Sequence, residues 1–229
     1  MDWRRFFQRG WYELLKNSIY VGGVLFFRIR YWGRQNVPRQ GPLLLVANHQ
    51  SHLDPPLIGA GIPRPLNFLA RQTLFDIPLL GRIIATVNAI PIDRQGVGLG
   101  GIKESLRRLK RGEGLMVFPE GTRSPDGEIQ RFLPGFTALA VRTGAVIVPA
   151  AIEGAYDAWP RTQNFPGPAD VDVCYGPPIS TEEIKQYQER ELLEEVERRV
   201  RACHAELVKQ RTLQGRGKRI FGKTWSAGG

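Results

Sequence analysis

Five consecutive apolar residues, Leu43-Leu44-Leu45-Val46-Ala47, give way without transition to Asn48 and His49. A run of that length with no polar interruption reads as a buried strand, and the sudden polarity puts Asn48 and His49 at its exit. The pattern recurs along the chain. Residues 66–70, Ala89–Ile92, 115–118, 145–151 and 171–175 also read as strands. Residues 102–111 and 132–143 carry helical patterns. The longest pattern, 181–210, spaces Ile184, Tyr187, Leu192, Val196, Val200, Cys203 and Leu207 three to five residues apart, the period of an amphipathic helix. Strands interleaved with helices specify an α/β fold: a single domain with a central, mostly parallel or mixed sheet flanked by helices. A length of 229 residues suits one such domain with terminal additions. The expected division is an N-terminal segment at 1–30, the domain at 31–210 and a basic tail at 211–229.

The first strand exit carries chemistry. In Asn48-His49-Gln50-Ser51-His52-Leu53-Asp54, an imidazole and a carboxylate lie five residues apart. On an ideal helix that spacing is about 500°, roughly 140° away from a shared face. Asp54-Pro55-Pro56 reads as a helix start, since proline tolerates the first turn and aspartate caps free N–H groups. A strand-end histidine folded back over that helix start would let Asp54 accept a hydrogen bond from one ring nitrogen. The tautomer would then be fixed and the other nitrogen left as a base. A substrate hydroxyl would be the group it activates. The alternative is that Asp54 only caps and His49 is a polar loop residue. His52 is too near Asp54 for a good relay, and His49, His52 and Asp54 lack a convincing zinc spacing.

A second motif follows the strand at 115–118. Glu120-Gly121-Thr122-Arg123-Ser124-Pro125-Asp126-Gly127 is dense in turn formers. Gly121 offers backbone freedom or close approach to a ligand, and Arg123 offers a fork of donors suited to phosphate. Glu120 either orders the arginine and an acceptor or closes a turn. Arg71 and Arg94, each after another apolar stretch, are further candidate cations. Polar groups collected after separate strands are what an α/β protein uses to build a site at one sheet edge. Residues 96–101 contain a G-x-G-x-x-G string, but Asp93, Arg94 and Gln95 separate it from the preceding strand. It reads as a loop feeding a helix rather than a dinucleotide fingerprint.

These residues resemble the glycerolipid acyltransferase family. His49 and Asp54 fall on its histidine–x4–aspartate block, and Phe118-Pro119-Glu120-Gly121-Thr122-Arg123 on its third. Asn88-Ala89-Ile90-Pro91-Ile92-Asp93-Arg94 falls on the second block, with Asn88 where glycine usually begins it and Pro91 where phenylalanine is common. Val148-Pro149-Ala150 falls on the fourth, a short apolar block associated with the acyl donor. The resemblance implies a general base at His49 oriented by Asp54. It also associates Arg94 with the acceptor phosphate and implicates Glu120, Gly121 and Arg123 in acceptor binding. Thr122, which lies inside the third block, and Arg71, a candidate cation from its own position, complete the expected substrate contacts. The implied reaction moves a fatty acyl group from acyl-CoA or acyl-carrier protein to the sn-2 hydroxyl of lysophosphatidic acid, giving phosphatidic acid. It has no covalent acyl-enzyme, metal or bound cofactor. Rival readings are a relative using another lysolipid or glycerol 3-phosphate, and a non-catalytic lipid-binding module.

The ends of the chain point to a membrane. Trp3, Phe6, Phe7, Trp11, Tyr12, Leu14 and Leu15 are mixed with Arg4, Arg5, Arg9 and Lys16, and an uncharged apolar run of nine residues covers 19–27. That is short of the ~20 residues a spanning helix needs. The expectation is a pair of interfacial helices, with peripheral or monotopic attachment on the cytoplasmic face and anionic lipids as partner. The alternative is that these residues only pack on the domain. The net charge of +10 and a tail from Lys209 with six basic residues and no acid suit anionic lipid. No nucleic-acid signature accompanies them, so no nucleic-acid partner is expected. Cys174 and Cys203 suit a reducing compartment better than a disulfide framework.

Overall fold

The protein's structure, a computed structural model, describes residues 3–92, 99–216, 219–220 and 223–224. A single 25-residue helix, α1 (Trp3–Phe27), stands where two interfacial helices were expected. Its glycines do not break it, because Gly costs only about 1 kcal/mol in a helix interior. Gly23 has a packing role: a Cβ there would lie 3.0 Å from Ile29 and 3.3 Å from Leu57, so the glycine lets α1 approach the next helix closely. Ile19 and Phe27 pack on the core, whereas Trp11, Leu14, Val21, Val24, Leu25 and Phe26 are exposed. Among the described residues no helix is long and apolar enough to cross a membrane.

After α1 the chain alternates as its pattern dictates. It forms β1 (Arg30–Trp32), β2 (Leu43–Ala47), α2 (Asp54–Ala60), β3 (Leu66–Arg71), α3 (Gln72–Phe75), α4 (Pro78–Thr86) and β4 (Ala89–Ile92). Then follow α5 (Leu99–Lys110), β5 (Gly114–Val117), α6 (Phe136–Thr143), β6 (Val146–Glu153), α7 (Ala155–Ala158), β7 (Asp172–Tyr175), α8 (Thr181–Ile184) and α9 (Glu189–Leu213). Two short strands, β8 (Arg219–Ile220) and β9 (Lys223–Thr224), pair with each other near the end.

The seven-stranded sheet runs β1-β7-β6-β2-β5-β3-β4. All neighbours are parallel except β6 and β7, so the sheet is mixed and mostly parallel. Because successive strand residues point to opposite faces, β2 feeds two cores. Leu43, Leu45 and Ala47 join Leu57 and Ile58 of α2. Leu44 and Val46 join Leu109 of α5, Leu139 of α6 and Val196 of α9. Burial of β2 on both faces explains its unbroken apolar sequence. The chain leaves β2 for α2 on one face, and leaves neighbouring β5 for α6 on the other. The strand order reverses between these two strands, and a crevice opens at their carboxyl ends. His49 and Glu120 follow those ends.

Several elements differ from expectation for local reasons. The pattern at 181–210 splits into α8 and α9, because Gln188 and Glu191 form a capping box that starts a new helix. The helix expected from residue 132 begins at Phe136, after Gly135 at φ 104°. Strand β1 is too short to announce itself. Helix α9 ends at Leu213, beyond the helix end expected at 210, and Arg211 and Arg216 are buried against Asp172 of β7. Cys174 and Cys203 are free thiols in one small cluster.

Candidate active site

Asn48 fixes the exit of β2. Its side-chain amide donates to the Ile152 carbonyl (3.0 Å) and accepts from the Ile152 N–H (2.9 Å), extending the β2–β6 pairing beyond the backbone ladder. The next residues bend around Asp54. One oxygen, Oδ2, accepts from the backbone N–H of Gln50 at 2.6 Å and of Ser51 at 2.7 Å, and lies 2.7 Å from His49 Nδ1. Asp54 is fully buried and its other oxygen, Oδ1, has no partner among the described residues. The carboxylate therefore does not cap its own helix. It organises the turn before α2 and holds the imidazole that folds back over it.

The second motif braces the first. The Phe118 ring stacks on His49 with centroids 4.1 Å apart. Ser124 N–H donates to the His49 carbonyl at 2.7 Å. Glu120 accepts from the His49 N–H at 2.9 Å and from the Gln130 N–H at 3.1 Å. Its carboxylate thus joins the two motifs and forms no ion pair with Arg123 among the described residues. Burial pushes the Glu120 pKa up to about 7. The Asp54 charge adds to that rise, while the two backbone N–H groups and Arg201 oppose it. Gly121 sits at φ 70°, in a turn where a Cβ would come 2.9 Å from Leu133.

A cleft of about 700 Å³ opens beside His49, within the ordinary range for small-molecule sites. Arg71, Thr122 and Arg123 stand with His49 in its wall. Its apolar part runs between α2, β3 and α4 to Tyr12 and Ile19 of α1. Cations face each other here. The Arg123 pKa is lowered by burial and then by the fields of Arg161 and Arg71. His52 is pushed down to about 4 by burial, Arg123, His49 and Arg71, so it is neutral at pH 7. Neither Arg71 nor Arg123 has a carboxylate partner among the described residues. An anion is the natural complement of such a cluster.

The chain belongs to the acyltransferase family. The family model described as Acyltransferase matches residues 28–153, which include both motifs. Similar proteins include a 1-acyl-sn-glycerol-3-phosphate acyltransferase of Pseudomonas aeruginosa, 31% identical over 71% of this chain and 62% of its own. The Bacillus subtilis protein of that name is 30% identical over 62% of this chain and 71% of its own. This chain thus spans less than two thirds of the Pseudomonas relative. The crystal structure of a 1-acyl-sn-glycerophosphate acyltransferase from Thermotoga maritima has a TM-score of 0.77 and 29% identity, covering 90% of this chain and 83% of that one.

Against the acyltransferase blocks, the structure brings His49, Asp54, Glu120, Gly121, Thr122, Arg123 and Arg71 to one sheet edge. Arg94 and the first three residues of the glycine string, 96–98, lie outside the described residues. The fourth block falls elsewhere: Val148, Pro149 and Ala150 are interior residues of β6, paired with Leu45, Val46 and Ala47, and do not line the cleft. Asn88 adopts φ 64°, a left-handed conformation that suits glycine and that asparagine tolerates better than most residues, so this departure keeps the turn. Pro91 lies on edge strand β4, where a missing N–H is tolerated. Sequence reasoning gave Asn48 and Gln50 no role and did not single out Arg161, whose field reaches Arg123. Asn48 and Gln50 adjoin His49, and burial at 1% and 2% exposure marks them as structural partners. Nothing in the local sequence signals Arg161.

Proposed function

We propose that the protein transfers a fatty acyl group from acyl-CoA or acyl-carrier protein to the sn-2 hydroxyl of lysophosphatidic acid, forming phosphatidic acid. The observation that carries this reading is the His49–Asp54 pair at the wall of an apolar cleft rimmed by Arg71 and Arg123, which have no carboxylate partner among the described residues. With Nδ1 engaged by Asp54 Oδ2 at 2.7 Å, Nε2 is the ring nitrogen left to act on a substrate.

In the proposed reaction, Nε2 takes the hydroxyl proton as the oxygen attacks the thioester carbonyl carbon. The tetrahedral adduct collapses, its C–S bond breaks, and the departing thiolate takes the proton back from His49. No acyl-enzyme forms. Arg71, Arg123 and Arg94 would bind the acceptor phosphate, with Gly121 and Thr122 shaping the rim and Glu120 holding the two loops together. The apolar arm of the cleft suits an acyl chain. The 700 Å³ volume and the relatives' shared name support this substrate class.

The exposed face of α1 and the positive charge support monotopic attachment to anionic lipid at the cytoplasmic face. In this division, residues 1–30 make the membrane contact and 31–210 form the catalytic domain. The test is acyl transfer by the full chain on anionic liposomes, offering lysophosphatidic acid, other lysolipids and glycerol 3-phosphate, with His49→Ala as control. Phosphatidic acid formed only when His49 is intact is the expected result. His49-dependent transfer to a different acceptor would replace the substrate, and transfer by folded His49→Ala would overturn the mechanism.

A further inference from the structure

Behind the His49 loop lies a buried polar chain that ends on the far helix. Gln50 is 2% exposed, yet its side chain is fully engaged. Nε2 donates to the Gly127 carbonyl at 2.8 Å and to Glu153 Oε2 at 2.9 Å, and Oε1 accepts from the Tyr156 N–H at 3.3 Å. Its own backbone N–H donates to Asp54 Oδ2. Glu153, the last residue of β6, has a second donor on that same oxygen: His204 Nε2 of α9, at 2.7 Å. The path runs unbroken from His204 through Glu153 and Gln50 to the carboxylate that holds His49.

We propose that Gln50, Glu153 and His204 are positioning residues for acyl transfer, tying the His49–Asp54 turn to helix α9. This inference rests on the assignment of His49 as the base. Gln50 sits between His49 and the second residue of the Asp54 cradle, so rotating its backbone would move both N–H groups that fix Oδ2. Two side-chain donors and one acceptor lock Gln50 in a single orientation, and a small-residue substitute would free it. Glu153 is suited to receive both donors. Burial opposes its ionisation, but hydrogen bonds from His204 and Gln50 and the field of Arg211 together pull its pKa below the ordinary carboxylate value. Asp172 lies opposite Glu153 across β6 and β7, and its charge is taken up by Arg211 and Arg216. Glu153 Oε2 receives His204 Nε2 and Gln50 Nε2. His204 needs a hydrogen on Nε2 to serve, which both the protonated ring and one neutral tautomer provide.

The experiment compares His204→Leu, which removes the donor, with His204→Gln, which keeps one, alongside His49→Ala. Two readouts are taken on the folded full chain: kcat and KM on anionic liposomes, and the downfield NMR signal of the His49 Nδ1 proton. His204→Leu is expected to lower kcat about tenfold, the scale on which outer partners of a catalytic group act. KM for both substrates should stay within about twofold, because no substrate contact is lost. The Nδ1 proton signal should broaden or move upfield, and His204→Gln should restore both signal and kcat. Folded His204→Leu with unchanged signal and kcat would overturn the relay. So would a loss of melting temperature with the signal intact, which would reduce His204 to packing. Should His204→Leu fail to fold, Glu153→Gln carries the same comparison, since it keeps an acceptor but removes the charge. The proton signal needs no substrate, so it judges the relay even if His49→Ala remains active and the catalytic assignment falls.

Discussion

Replacing Asp54 by asparagine separates the charge of this carboxylate from its geometry. In a Ser–His–Asp triad, an asparagine in place of the aspartate stabilises the wrong tautomer and costs about 10⁴ in rate. Here the surroundings forbid the NH₂ from turning toward the ring. The Oδ2 position already receives two backbone N–H groups, from Gln50 at 2.6 Å and Ser51 at 2.7 Å, and an NH₂ placed there would face two donors. The amide oxygen must take that place, leaving the NH₂ at the Oδ1 position, where the described residues offer no partner. The Nδ1–H tautomer of His49 should therefore survive.

What is lost is the charge. Changing a charge-assisted hydrogen bond to a neutral one forfeits about 1 kcal/mol. The carboxylate's attraction for the imidazolium formed in the transition state adds a further ~2 kcal/mol at the effective dielectric of a partly exposed site. A total of ~3 kcal/mol corresponds to a fall in kcat of about 10²-fold, well short of 10⁴. The buried, unpartnered NH₂ should also lower stability by about 1–3 kcal/mol. The assay is steady-state acyl transfer by Asp54→Asn beside His49→Ala, with urea unfolding of both. A folded Asp54→Asn protein as inactive as His49→Ala would refute the argument that the two backbone donors fix the amide. A rate within threefold of the unmodified protein would refute the role of the charge.

Three further outcomes follow from the same geometry. Glu120 has a folded pKa of about 7 against an ordinary value of 4.5, so between those values the folded state holds a proton that the unfolded chain has released. The sign is that its contribution to stability is complete below about pH 4.5 and is lost as pH rises through about 7, a swing on the order of 3 kcal/mol. Urea unfolding from pH 4 to 8 should show this slope in the unmodified protein and a flatter one in Glu120→Gln; equal slopes would assign it elsewhere. Arg123→Ala should raise KM for a phosphate-bearing acceptor by about 10- to 100-fold, the worth of a charged hydrogen bond, with a smaller change for an uncharged acceptor. An unchanged KM would remove Arg123 from the phosphate site. Leu25→Ser and Phe26→Ser lie on exposed positions of α1, so each should weaken liposome binding by roughly tenfold or more through lost apolar burial, with the melting temperature little moved. Undiminished binding would mean that this face does not enter the lipid.

The β2 run illustrates why so much of the fold was legible. Leu43 to Ala47 are apolar because both faces of a central strand are covered, and a strand buried on both faces can hardly be written otherwise. The same holds for the apolar stripe of α9 and for the glycine turn at Gly121. Elements with weaker local constraint escaped notice. The three residues of β1 gain their strand form only by pairing with Asp172 to Cys174, and the break before α9 depends on a reciprocal bond between Gln188 and Glu191.

The site divides along the same line. The sequence by itself determined which side chains could do chemistry, because an imidazole, a carboxylate and a guanidinium at strand exits have few structural uses. It also determined the layered α/β arrangement, through runs and periods that reflect burial. Only the tertiary structure decided what each polar group does. Glu120 accepts from the His49 and Gln130 N–H groups and forms no ion pair with Arg123 among the described residues. Val148 to Ala150 belong to the core, since the sheet order sends β6 alongside β2. His204, 155 residues from His49 in sequence, reaches the same turn through Glu153 and Gln50. Such contacts depend on which strands become neighbours and which helix covers them, and a crossover that brings distant segments together leaves no trace in the spacing of either one.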